Sequence, residues 1–409
     1  MVPSLRARFN EGFKSGRYTE MMGDLTARVR CPIEFRVSET PCFFPGPLME
    51  SLVGASQAML GSLLGDIAYR AVADDVVPAR FRVAHSESAP TFVQVDFGLV
   101  REGNRVEGRL VELQAFPSLY AFQTILGESF QREYGLGKSE GLTPFLDGLD
   151  RDDYLALMRR ALLGRHDPTN VVLMEIEPRK QKTLPDFNGT EDLWGVRAID
   201  INDVIVEGTG DGRRLFYRRD GALTRILRIY NRVIPDELER KGLSLPFDYR
   251  DDIDVEWLGA PDWYFRLSKF SIPHITHPWV PVTVFLHDAV EDNGRLGAAY
   301  ADRERWLLKP LFSFAGGGII FAPTDEQIAA IPEHERPSYI LQERVAFTPV
   351  IETPHGATQA ELRIMMVREN DTYRAVLPLV RMGRGKMMGV DHNKGLDWVG
   401  ASAAFMTET

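Results

Sequence analysis

The sequence predicts an α/β fold, with strands and helices mixed in the α+β manner. Two observations carry that expectation. Short apolar strand patterns alternate with amphipathic helix patterns through the first half of the chain. Further on, Trp306 to Phe321 runs strand, lysine, polar turn, three consecutive glycines, strand. The totals set the limits. The 409 residues suffice for two or three domains and a large core, and 44% hydrophobic with 26% charged is an ordinary globular composition.

Residues 1–30 are mixed and charged and predict helical pieces. Pro45-Gly46-Pro47 then punctuates the chain, and apolar residues from Met49 through Leu52, Met59 and Leu63 to Ala71 recur at helical steps, with Pro47 at the start. Phe92–Phe97 and Arg109–Gln114 alternate as strands. They put Asp96, Glu112 and Gln114 at or near strand ends, where α/β folds place ligand groups. Glu112 and Gln114 share a face, which could equally be a solvated one. A helix is expected over 150–165, then strands at Val171–Ile176 and Val196–Ile201, then a hairpin turning at Asp220-Gly221.

Arg225 to Ile234 flanks an apolar tyrosine run with Arg228 and Arg232. Guanidinium groups there suit carboxylates and phosphates, or pair with acidic side chains nearby. Residues 235–262, rich in charge and proline, read as a connector that ends in an aromatic hub at Trp257, Trp263, Tyr264 and Phe265. His274 and His277 are held off one helix face by Pro273 and Pro278, so they are loop histidines rather than a metal pair.

The glycine stretch is the first chemical signal. Glycine tolerates positive φ and lets a backbone approach a ligand. Successive N–H groups in Gly316, Gly317 and Gly318 can form an anion cradle, and Lys309 adds a point charge beside it. It is not a Walker A loop, because the lysine precedes the glycines, and it is not a dinucleotide fingerprint. A glycine-rich hairpin with a surface lysine is the alternative. Tyr339–Val345 is then a strand ending in Gln342, Glu343 and Arg344, suited to the link between two lobes of a nucleotide cleft. Ala360–Val367 is a strand with Glu361 and Arg363 on one face. Arg381, Arg384 and Lys386 crowd a glycine-rich turn, and Asp391 and Asn393 offer oxygens suited to Mg²⁺, or cap their own turn.

This order of features resembles the ATP-grasp superfamily, and within it the glutathionylspermidine-synthase-like branch. The resemblance rests on Lys309 with Gly316-Gly317-Gly318, then Gln342-Glu343-Arg344, then Glu361 with Arg363, then Asp391 with Asn393. It covers the last third of the chain firmly and the rest faintly. It implies an ATP-grasp-like fold with the nucleotide between two α+β lobes in residues 235–409, behind an N-terminal α/β domain over 1–234 that contributes substrate contacts. It implies ATP and Mg²⁺ as cofactors. Lys269, Lys309, the glycines, Gln342–Arg344, Arg381 and Lys386 would hold the nucleotide, and Glu361, Asp391 and Asn393 the metal. Arg363 and Lys309 would be catalytic, and Glu112, Gln114, Ser118, Arg228, Asn231 and Arg232 would face the substrate. The metal set departs from the family pattern, which begins its pair with glutamate, and no amidase domain is evident.

The implied activity is ligation of a small-molecule or peptide carboxylate to an amine through an acylphosphate. The alternatives are a non-catalytic nucleotide-binding regulator, an ATP-dependent phosphotransferase, and a carbohydrate- or peptide-binding module using the aromatic hub. The net charge of −10 argues against nucleic acid or anionic membrane as partner. The two cysteines make no disulfide framework or zinc site, no signal peptide is evident, and no stretch reaches about 18 apolar residues. The expectation is a soluble cytoplasmic protein; oligomeric state leaves no mark on the sequence.

Overall fold

The computed structural model describes residues 1–137, 140–208, 212–313, 316–385, 388, 393 and 395–407. Its centre is a seven-stranded sheet in the order Cys42–Phe44, Gly400–Thr407, Thr372–Gly383, Gln359–Glu369, Phe92–Glu102, Arg105–Gln114, with Leu142–Thr143 pairing Gly400–Thr407. Among the described strands of this sheet the Cys42–Phe44 pairing alone is parallel, and the other neighbouring strands are antiparallel. The sheet therefore draws strands from both ends of the chain.

Alternation along these strands gives the sheet two different faces. On one, Val95, Phe97, Leu362 and Ile364 are fully buried against Met49, Leu52, Met59 and Leu63 of the helix Gly46–Gly65. The helix expected to run on to Ala71 breaks at Asp66. The Asp66 carboxylate accepts the Ala68 N–H at 2.8 Å and starts a second helix, Ile67–Asp75. The other face changes character along its length. Phe92, Met365, Val367 and Leu377 pack under the helices Tyr120–Tyr134 and Arg151–Leu163. Gln94, Asp96, Glu361, Arg363 and Arg381 then replace them with polar groups.

A four-stranded parallel sheet, Glu256–Leu258, Arg228–Asn231, Val171–Glu175, Arg197–Asp200, packs nearby. Its edge strand Glu256–Leu258, with the helix Pro235–Lys241, lies in the segment expected to be a connector. Three residues are too few to show a period, and Trp257 is held by the core it enters. A three-stranded sheet carries the hairpin at Asp220 and Gly221, both at positive φ as its tight turn requires. A last antiparallel sheet has the order Thr283–Phe285, Tyr339–Glu343, Trp306–Pro310, Ile320–Phe321. It closes on Leu286, Leu308, Ile328 and Leu341, and the glycine turn projects from it. Among the described residues no helix is long and apolar enough to cross a membrane. Cys31 and Cys42 are both free and buried.

Candidate functional site

The polar half of the central sheet forms one wall of a cavity of about 680 Å³, and the sheet bearing the glycine turn forms another. Two cross-strand rows supply the charge. In one, Leu379, Arg363, Asp96 and Glu112 sit side by side on four strands; in the next, Arg381 lies opposite Glu361. A β-bulge between Asp96 and Phe97 makes this possible. Asp96 pairs with Glu112 but Phe97 with Leu110, which leaves Val111 as the extra residue. Without the slip, Glu112 and Leu110 would share a face; with it, Glu112 joins the cavity and Leu110 joins the core.

Arg363 donates to both oxygens of Asp96, each at 2.6 Å, and to Gln94 Oε1 at 2.8 Å. The Gln114 amide, turned oxygen-first, accepts from the same guanidinium at 2.8 Å. Arg381 donates to Asp96 Oδ2 at 3.3 Å and pairs closely with Glu361. The two carboxyls respond differently. Burial disfavours the charge of Asp96, but two guanidiniums, one of them bidentate, outweigh it and hold its pKa below the usual value. For Glu361, burial dominates, and the neighbouring Asp96 charge adds to it, so its pKa is raised despite Arg381. A proton entering this cluster settles on Glu361.

Lys309 extends from the opposite wall and is 5% exposed. Its Nζ donates to Gln342 Oε1 at 2.5 Å and reaches the bulged Val111 carbonyl at 3.5 Å. Burial lowers its pKa to about 8. Lys269 begins a short 3₁₀ turn and is equally buried; its Nζ donates to the Ser313 carbonyl at 2.7 Å and lies 3.4 Å from Glu112 Oε1. Gly316 lines the cavity, and Gly316 and Gly318 both take positive φ. The chain returning to the sheet at Val345–Phe347 crosses Gly98, where a Cβ would lie 2.7 Å from the Phe347 ring.

The structure brings Lys309, Gly316, Gln342, Arg344, Glu361, Arg363, Arg381, Glu112, Gln114 and Ser118 to one cavity. Gly317 and Gly318 sit on the exposed rim of the turn. Glu343 points away and pairs with Arg305 at 2.6 Å. Arg228 lies outside the cavity on Glu256, and Asn231 donates to the Gly259 carbonyl at 2.9 Å. Arg232 is buried between the Phe116 and Phe187 rings and donates to Asp186 at 3.1 Å. Asp186 in turn accepts the N–H groups of Leu119, Ala121 and Phe122. Arg232 thus acts on the cavity at one remove, by steadying the turn that carries Ser118 and the left-handed Leu119. Asn393 accepts the Arg384 N–H at 3.1 Å, in space that Gly383 leaves open. Lys386 and Asp391 lie outside the described residues. Among the described residues no three His, Cys, Asp or Glu side chains converge as a metal cluster.

No family model matches the chain, and no curated protein matches it. Among solved structures it is similar to a glutathione synthetase-like effector from Globodera pallida in its apo form. The TM-score is 0.57 and the identity 11%, over 96% of each chain. The fold is ATP-grasp-like. Within this ATP-grasp-like frame the donor set suits a polyphosphate: buried cations on two walls, a positive-φ glycine turn at the mouth, and the Gln342 Nε2 atom buried with no partner among the described residues. Metal donors are thinner. Glu361 shares the wall with the carboxylates of Asp96 and Glu112, and Mg²⁺ needs few protein ligands when phosphates and waters supply the rest.

Sequence reasoning passed over Gln94, Lys182 and Phe347, all now at or beside the cavity. Gln94 had a usable signal, since it alternates with Asp96 on one strand. Lys182 and Phe347 had none, because loops bring them in.

Proposed function

We propose that the protein is an ATP- and Mg²⁺-dependent ligase that joins a carboxylate to an amine, nearest in kind to the glutathionylspermidine-synthase-like branch. The observation that supports this best is the convergence of Lys309, Arg363, Arg381 and the Gly316 turn on one cavity. Lys309 and Lys269 take phosphate oxygens, and Arg363 meets the charge that develops on the transferring phosphoryl group. Glu361, with Asn393 and Asp391, would hold Mg²⁺, which neutralises phosphate charge when bound. The acid's carboxylate oxygen attacks the γ-phosphorus and ADP leaves. The amine nitrogen then attacks the acyl carbon, loses a proton, and phosphate departs from the amide. Closure of the glycine turn would keep water from the acylphosphate.

A second reading is a nucleotide-binding regulator without turnover. It is favoured by Arg363, whose guanidinium is already engaged by Asp96, Gln94 and Gln114. One experiment separates the two. The melting temperature is measured with and without ATP–Mg²⁺, followed by a screen of amino acids, small peptides and polyamines for phosphate release. A ligase shows both a rise and release with an acid–amine pair. A regulator shows only the rise, and no rise at all removes both readings.

A further inference from the structure

Gln94 lies where the central sheet turns from apolar to polar, between Phe92 and Asp96 on one face of their strand. It is wholly buried, and a buried polar side chain is costly unless both its ends are answered. Both are. Its Nε2 donates to the Ser118 carbonyl at 2.7 Å, and its Oε1 accepts from Arg363 Nη1 at 2.8 Å. A carbonyl can only accept and a guanidinium can only donate, so the amide has one orientation. A carboxylate at this position would lack the donor, and an apolar side chain would lack both groups.

The two partners of Gln94 belong to different parts of the cavity wall. Arg363 stands on the strand Gln359–Glu369, whereas Ser118 and Leu119 form the turn before the helix Tyr120–Tyr134. Leu119 sits at a φ of 67°, in the left-handed region that a leucine rarely enters. Such strain persists only where several contacts fix it. Here Asp186 accepts the Leu119 N–H, the Tyr120 hydroxyl donates to the Met366 carbonyl at 2.9 Å, and Gln94 holds the Ser118 carbonyl. Of these three contacts, the one through Gln94 continues to Arg363.

We infer that Gln94 is a positioning residue: it sets the Arg363 guanidinium and the Ser118–Leu119 turn in one register, and it passes a displacement of either to the other. Its role in turnover rests on the ligase reading, in which the two ends hold the transferring phosphoryl group and the carboxylate substrate, aligned for attack. The mechanical tie between them needs no ligand.

Hydrogen exchange of the full chain, followed by mass spectrometry, tests the tie without a substrate. Gln94→Met removes both bonds, and Gln94→Glu keeps an acceptor for Arg363 but cannot donate to Ser118 as a carboxylate. Both should speed exchange of the amides at 119–122 by about fivefold, the worth of one hydrogen bond, while the strand Tyr339–Glu343 exchanges as in the parent. Arg363→Lys does not touch the turn, yet it should speed the same amides through Gln94 and add nothing in the Gln94→Met background. Unchanged exchange at 119–122 in both Gln94 variants, an equal rise at Tyr339–Glu343, or an Arg363→Lys effect that persists in Gln94→Met overturns the inference. Calorimetry with a non-hydrolysable ATP analogue and Mg²⁺ judges the ligase reading separately. No binding by the parent, with faster exchange at the turn in the variants, removes the ligase reading and leaves the inference standing. Binding by the parent with unchanged exchange does the reverse.

Discussion

Arg363 and Asp96 face each other across neighbouring strands and meet through two parallel hydrogen bonds, both 2.6 Å long, in a setting where neither is more than 6% exposed. Exposed ion pairs are worth about 0–1 kcal/mol. Removing one partner of a buried pair costs about 3–5 kcal/mol, because the other charge is left stranded. Asp96→Ala, which strands Arg363 and part of Arg381, is expected in the upper range by urea denaturation. A loss below about 1 kcal/mol would show that water reaches the pair. Arg363→Lys keeps the charge but not the fork; it should fold and, on the proposed ligase reading, release far less ADP than the parent.

Lys309 makes a pH prediction. Its folded pKa of about 8 lies below its ordinary 10.5. Between those values the unfolded chain holds a proton that the folded chain lacks, so stability rises with pH across that window. Lys309→Met should flatten the rise, read as the difference between the two proteins in denaturation series. If Lys309 holds phosphate as proposed, the same titration should weaken that binding as pH climbs past about 8, because a neutral amine no longer pairs with the anion. An ATP-induced melting shift that is unchanged in Lys309→Met would take the lysine out of the nucleotide site.

Glu175 behaves with the opposite sign. It ends a buried strand, accepts the Ile176 N–H at 2.8 Å, and burial raises its pKa to about 8, with Arg232 opposing. The folded chain therefore keeps a proton that the unfolded chain gives up above 4.5. That contribution is complete at low pH and is lost as pH rises through about 8. Glu175→Gln should flatten this decline and be the more stable protein above about pH 8. An unaltered slope would mean that the carboxyl is ionised in the fold.

Gly98 predicts a steric effect with a rescue. Its missing Cβ is the space occupied by the Phe347 ring and by Val345 Cγ1, at 2.7 and 2.9 Å. Gly98→Ala is expected to cost about 1–3 kcal/mol, as overpacking does, and to loosen the crossing segment. Phe347→Ala in the same chain should restore part of the loss, a coupling that a double-mutant cycle would measure. Additive losses would place the strain elsewhere.

What the sequence disclosed depends on how far apart the cooperating residues lie. Lys309 and its glycines were legible because one short stretch contains them. Glu361 and Arg363 were legible because a strand puts alternate residues on one face. The partner of Arg363 was not, since Asp96 comes from a strand at the other end of the chain and nothing local joins them. The bulge at Val111 was equally hidden, because alternation assumes an unbroken register. Arg228 and Arg232 show a different limit. An arginine seeking a phosphate and one paired to a carboxylate look alike in sequence, and only the positions of Glu256 and Asp186 tell them apart.

The interleaved central sheet has a consequence for how the protein is made. The strand Phe92–Glu102 emerges from the ribosome long before its neighbour Gln359–Glu369. At about 5–20 residues per second the wait is on the order of ten seconds or more. Through that interval an apolar strand has one open edge, the kind that invites pairing with other nascent chains. The cavity floor cannot assemble until Gln359–Glu369 and Thr372–Gly383 have been translated, so nascent fragments that stop short of Gln359 should neither bind ligand nor stay in solution without a chaperone.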